Sequence, residues 1–119
     1  MTKDDLKKRF KNWAVTVVEL TRKFPKGAEF TAILNQIVRC GPSAAANYRA
    51  ACRAKSTPDF INKLKIVEEE SDETLFWLEF VVALEPTLRP DVTPIYKEGD
   101  ELVAITVKAI KTTRENQQK

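Results

Sequence analysis

Apolar residues recur through residues 3–24 at Leu6, Phe10, Trp13, Val17, Leu20 and Phe24, with polar and charged residues between them. Alternating steps of four and three place them on one side of a helix. Phe24-Pro25-Lys26-Gly27 ends that helix, because proline disfavours helical geometry in the residue before it and glycine tolerates a turn. A second stripe, Phe30, Leu34, Ile37, Gly41, Ala44, Tyr48 and Ala51, predicts a helix over residues 28–55. Its middle carries only short side chains, so that face is expected to approach a neighbouring helix closely. Pro42 lies inside the pattern and is expected to kink it, since proline removes a backbone donor.

Ser56-Thr57-Pro58-Asp59 reads as a helix start, with Thr57 as N-cap, Pro58 at the first helical position and Asp59 at the positive end of the helix dipole. The stripe that follows, Phe60, Leu64, Val67, Ser71, Leu75, Leu78 and Val82, predicts a helix over residues 58–85, stopped by Pro86. Thr93-Pro94 opens a fourth, over residues 94–114, lined by Tyr96, Gly99, Val103, Thr106 and Ile110. This last stripe is the weakest, since glycine costs about 1 kcal/mol relative to alanine inside a helix. Four amphipathic helices with short connections predict an all-α fold, an antiparallel up-down-up-down four-helix bundle forming a single domain over residues 1–119.

Composition narrows the function classes. Three glycines in 119 residues argue against a turn-rich β fold. No apolar run reaches the roughly 20 residues a membrane-spanning helix needs. Met1-Thr2-Lys3-Asp4-Asp5 leads straight into a charged amphipathic segment rather than a signal peptide. Cys40 and Cys52 fall on one predicted helix about 18 Å apart, too far for a disulfide, whose Cα atoms lie about 5.5–6 Å apart. A cytoplasmic location follows as the expectation. The chain has no histidine, which removes histidine-dependent triads, a base for either thiol, and di-iron sites of the Glu-x-x-His type. No cofactor, metal or catalytic residue is assigned.

Charge and aromatic placement supply the candidate surfaces. The net charge is only +3, but Lys and Arg outnumber Asp and Glu through residues 1–55, whereas residues 59–85 hold two lysines against eight acids. Arg39, Arg49 and Arg53 share one face of the second helix with small residues between them, followed by Lys55. Such guanidinium groups suit phosphate. In an antiparallel hairpin Arg39 also comes level with residues near Glu73, so internal pairing with the acidic run Glu68–Glu73 competes. On the third helix, nine of ten residues from Leu75 to Leu84 are apolar. Phe76, Trp77, Phe80 and Leu84 project opposite the core stripe and predict an oligomer interface. Glu70 with Glu73, and Glu98 with Glu101, form two ExxE pairs of the kind used by all-α magnesium-dependent nucleotide pyrophosphohydrolases. A solvated acidic face is the plainer account of them.

The stretch from Asn35 through Arg39-Cys40-Gly41-Pro42-Ser43-Ala44-Ala45-Ala46-Asn47-Tyr48-Arg49 to Ala54 strongly resembles the bacterial four helix bundle protein family, the proteins of 23S ribosomal RNA intervening sequences. Phe60–Leu64, Glu68–Glu79 and Glu98–Thr112 resemble the same family's third and fourth helices. The resemblance implies an antiparallel bundle that assembles as a homopentamer. A related protein, the accessory protein of diversity-generating retroelements, implies by analogy a non-enzymatic role binding RNA or DNA and a protein partner such as a reverse transcriptase. On that reading Arg39, Arg49, Arg53 and Lys55 contact phosphate. The alternative is a structural or protein-partner module with no nucleic-acid ligand.

Overall fold

Two of the four helices begin where a hydroxyl takes up a backbone donor that the first turn leaves unpaired. In the computed structural model, which describes residues 1–119, Thr2 accepts from the amide of Asp5 at 3.1 Å while Asp5 accepts from the amide of Thr2 at 3.0 Å. This reciprocal cap starts α1 (Lys3–Leu20), which ends in a short 3₁₀ turn, Thr21–Lys23. Helix α2 spans Ala28–Ala51, α3 spans Thr57–Leu84, and α4 spans Arg89–Gln117 after a second 3₁₀ turn, Pro86–Leu88. The chain is all-α, four helices with no strand, and no helix is long and apolar enough to cross a membrane.

Several boundaries differ from the sequence expectation: α1 gives way to its 3₁₀ turn after Leu20, α4 runs on to Gln117, and three further differences lie at the start of α3, the end of α2 and the start of α4. Ser56, not Thr57, caps α3: its backbone is extended, and its Oγ accepts from the amide of Asp59 at 3.2 Å. Helix α2 stops at Ala51, so Arg53 and Lys55 both lie in the turn that follows rather than on the helix. Helix α4 starts at Arg89 because Pro90 already occupies its first turn, which leaves Pro94 inside the helix. Pro42 likewise sits within an unbroken α2.

The helices pack in cyclic order, and their contacts run antiparallel. Phe10 stacks on Tyr48 while Val17 meets Gly41. Cys40 meets Thr74, and the backbone of Lys55 meets Asp59. Glu79 bonds Tyr96. Arg9 pairs with Glu98 and Lys23 with Asp91, closing α1 against α4. The result is a rod of 52 × 21 × 21 Å.

The core is built largely from the stripes, but Ile33, Ile61 and Val81 are buried where the stripes predict Leu34, Phe60 and Val82. In α4 the buried line is Val92, Ile95, Gly99, Leu102, Thr106 and Ile110, so Tyr96 and Val103 flank the core one position away from its centre. Gly99 is no weakness. A Cβ there would lie 2.5 Å from Cζ2 of Trp13 and 2.8 Å from Cδ2 of Leu75. The Trp13 indole crosses α4 at this point and donates to the carbonyl of Ile95 at 3.0 Å. The short middle of α2 does what its side chains suggested: a Cβ on Gly41 would stand 3.2 Å from Val17 of α1.

Candidate functional site

The four basic residues singled out on and after α2 separate into two environments. Arg39 is held by two acids of α3, one turn apart: its guanidinium reaches Glu70 at 3.1 Å and Glu73 at 2.6 Å. The hydrogen bond to Glu73 pushes the Arg39 guanidinium further up, and reciprocally holds the Glu73 carboxyl below its usual range. Two carboxylates on one guanidinium leave that spot with a net negative charge. As a phosphate contact Arg39 is therefore displaced by internal pairing, in the register the hairpin argument placed it.

Arg49, Arg53 and Lys55 instead surround an open concavity of about 360 Å³ between α2 and the start of α3. All three are exposed, and none has a carboxylate within 4.0 Å of its charged nitrogens. Ala46 and Ala50 form its floor, so short side chains let a ligand's backbone come close. Lys63 of α3 completes the rim. The one acid there, Asp59, accepts from the ammonium of Lys63 and from the backbone amide of Lys55 at 3.1 Å. Those two bonds hold its carboxyl below the usual range, the Lys63 bond being the larger effect. Four cations facing one engaged carboxylate give the concavity an excess positive charge. Lys63 was not legible as a member, since the turn at residues 52–56 is what folds it back beside Arg53; the Asp59–Lys63 spacing of four is its only trace in the chain.

The two acidic pairs that suggested metal chemistry are each clasped by an arginine. Glu70 and Glu73 take Arg39, and Glu98 and Glu101 take Arg9, with Arg9 Nε 3.0 Å from Glu98 and Nη2 3.1 Å from Glu101. They face different neighbours, α2 and α1, and do not converge. Each pair therefore ties two helices together through one arginine. The thiols are also apart: Cys40 is buried and meets the hydroxyl of Thr74 at 3.1 Å, while Cys52 is half-buried.

Along the outer side of α3, Phe76, Phe80 and Leu84 are exposed by 51%, 40% and 45%, which for three large apolar side chains on one face is an unpartnered patch. Trp77 belongs to it only in part. It is half-buried against the core and its indole donates to Glu73 at 3.1 Å, so it braces the rings of Phe76 and Phe80, 5.0 and 5.8 Å away.

Residues 3–108 match the family model described as 23S rRNA-intervening sequence protein. Among solved structures, the chain is similar to a protein with unknown function from the S23 ribosomal protein family of Bacteroides thetaiotaomicron, with 32% identity, a TM-score of 0.83, and coverage of 93% of this chain and 99% of that one. No curated protein matches the chain.

Proposed function

The chain belongs to the 23S rRNA-intervening sequence protein family, and from that premise we propose that it is a non-enzymatic, self-associating helical bundle that binds nucleic acid through the concavity between α2 and α3. The observation that carries the reading is the set of Arg49, Arg53, Lys55 and Lys63 around one open hollow, with a single and already engaged carboxylate. Arg49, Arg53 and Lys55, which have no carboxylate partner, lose little when they exchange water for phosphate oxygens, and release condensed counterions from the nucleic acid as they do so. Base edges have no matching donor and acceptor array there, so binding is expected to follow charge rather than sequence. Self-association through Phe76, Phe80 and Leu84 would bring several such hollows together and raise the effective concentration of cations along one strand. The two thiols and the absence of any disulfide suit a reducing, cytoplasmic setting.

The test is fluorescence anisotropy with a labelled single-stranded RNA of mixed sequence, titrated with salt. Three or four phosphate contacts at the concavity contribute about −2 to −3 per chain to the slope of log K against log salt. Arg49→Glu combined with Arg53→Glu is expected to abolish binding while leaving the helical spectrum and the mass by light scattering unchanged, since both side chains are exposed. No binding by the wild-type chain at low salt sinks the proposal.

A structural role without nucleic acid draws support from Arg39, whose two carboxylates tie α2 to α3. It predicts that Arg39→Glu loosens the bundle, and that Arg49→Glu changes nothing measurable.

A further inference from the structure

The concavity is part of a larger charge asymmetry. Helix ends from three parts of the chain meet at one end of the rod: a pocket of about 370 Å³ there is lined by Met1, Leu6, Phe60, Leu64, Ile105 and Ala109. The Lys3 ammonium lies 4.8 Å from the centre of the Phe60 ring. The segments that build this end, residues 1–8, 48–65 and 105–119, hold twelve of the twenty Lys and Arg but only four of the seventeen Asp and Glu. The remainder of the chain is therefore net acidic. Massing like charge on the tip of a rod 21 Å wide works against folding by self-repulsion, and an anionic partner relieves that cost.

The cations at this end lie on more than one face. Lys63 and Lys65 of α3 are two residues, hence about 200°, apart around the helix. Lys63 faces the α2 concavity, so exposed Lys65 stands on the opposite flank, toward α4. The register fixed by Gly99 against Leu75 and Tyr96 against Glu79, carried down the antiparallel pair, puts Lys111 level with Lys63 and Arg114 level with Phe60. Lys108, Lys111 and Arg114 are exposed and have no carboxylate within 4.0 Å. Helices α2 and α4 occupy opposite corners of the bundle, so a basic track runs from Arg49 and Arg53, over α3 at Lys65, to Lys111 and Arg114.

Resting on the nucleic-acid reading above, we propose that the ligand is single-stranded nucleic acid that wraps the basic end of the rod, with Lys65, Lys108, Lys111 and Arg114 as further phosphate contacts. The geometry selects among polyanions. A flat anionic membrane reaches one side of a cylinder, and duplex DNA keeps its direction over about 150 base pairs, so neither follows a track around a tip 21 Å across. A single strand bends at each nucleotide and reaches both flanks of α3.

The experiment compares wild type, Lys108→Glu with Lys111→Glu, and Arg49→Glu with Arg53→Glu. The probes are a labelled single-stranded RNA, the duplex of the same sequence, and phosphatidylserine-containing vesicles, with circular dichroism as the folding control. The α4 variant is expected to lose tenfold or more in single-strand affinity at low salt. For charge-neutral Lys108→Ala with Lys111→Ala, the salt slope should shrink by about 1.4, roughly 0.7 for each contact removed. Duplex binding should be weaker in wild type and indifferent to the α4 changes. If the α4 variants bind the single strand as wild type does while the α2 variant does not, the wrapped track is wrong and the concavity stands alone. Equal wild-type affinity for duplex, or binding to vesicles in preference to RNA, also overturns it. If wild type binds no nucleic acid at all, the underlying reading falls as well.

Discussion

Gly99→Ala is the substitution whose sign separates local from tertiary reasoning. In an exposed helix it would stabilise by about 1 kcal/mol, the propensity difference between glycine and alanine. Here the new methyl would sit 2.5 Å from Cζ2 and 2.9 Å from Cε2 of Trp13, and 2.8 Å from Cδ2 of Leu75. The leucine methyl is the end of a flexible side chain and can turn away. The indole cannot: Trp13 is 2% exposed and pinned by its hydrogen bond to the Ile95 carbonyl. Relief requires the ring to slide outward, stretching or breaking that bond, or α1 and α4 to separate. Overpacking of this kind costs about 1–3 kcal/mol, and leaving the indole donor unpaired adds about 1–3 kcal/mol. Against the propensity gain of about 1 kcal/mol the net expectation is a loss of about 1–5 kcal/mol. Urea denaturation followed by tryptophan fluorescence, at one fixed protein concentration because association shifts apparent stability, measures it. Combining Gly99→Ala with Trp13→Phe should recover part of the loss, as a coupled pair does in a double-mutant cycle. A Gly99→Ala protein as stable as wild type, or more so, refutes the account.

Ser71 is fully buried, and its hydroxyl finds no partner in the protein, so Ser71→Ala should raise stability by about 1 kcal/mol in the same assay; a loss would mean the hydroxyl is bonded after all. Arg9 spans Glu98 and Glu101 with its side chain only 25% exposed, and Arg9→Ala should cost about 1 kcal/mol, at the upper end for pairs near the surface, read as a lower urea midpoint. Because Arg39 lowers the Glu73 pKa in the folded chain below its ordinary 4.5, the pair contributes stability above that value and loses it as the pH falls through the folded pKa. Denaturation midpoints measured from neutral pH downward should fall more for wild type than for Arg39→Ala, and parallel curves would count against the linkage. Burial pushes the Cys40 thiol up, so a disulfide reagent should modify Cys52 well before Cys40 in the native protein and both together in urea; equal native rates would contradict the packing. Phe76→Glu with Phe80→Glu should reduce the mass seen by light scattering to 13.5 kDa without loss of helicity, if that face joins subunits.

Much of the fold was written in the spacing of apolar residues, because a helix repeats every 3.6 residues and each stripe needs one neighbour to cover it. The α1 stripe from Leu6 to Leu20 is buried throughout, and the small residues of α2 admit Val17 against Gly41. The failures lie where two local signals overlapped. Ser56 and Thr57 are both capable caps, and only the extended backbone at Ser56 decides between them. Pro90 and Pro94 both fit a helix start, and the earlier one wins because Leu88, Val92 and Ile95 then reach the core. The buried line of α4 keeps Gly99, Thr106 and Ile110 and takes Ile95 and Leu102 in place of Tyr96 and Val103. The misjudged Gly99 follows from the same limit, since no pattern within α4 records that a tryptophan 86 residues earlier lies across it.

For the candidate site the chain order was informative about pairing and misleading about neighbourhood. In the sequence Arg39, Arg49 and Arg53 look alike as residues of one helix face; folded, Arg53 lies just past the end of α2, and the fates of all three are set by what α3 places opposite. The acidic run reaches Arg39 and stops short, because the antiparallel register brings Glu70 and Glu73 level with residue 39 and Asp59 and Lys63 level with the end of α2. Acid is thus consumed at mid-rod while base is left uncompensated at the tip. Since the same register delivers the C-terminal turns of α4 to that tip, no single helix holds the basic surface. A charge map along the sequence shows a basic half and an acidic segment; folded, those become an acidic waist and a basic end, and only the second description says where a polyanion would bind.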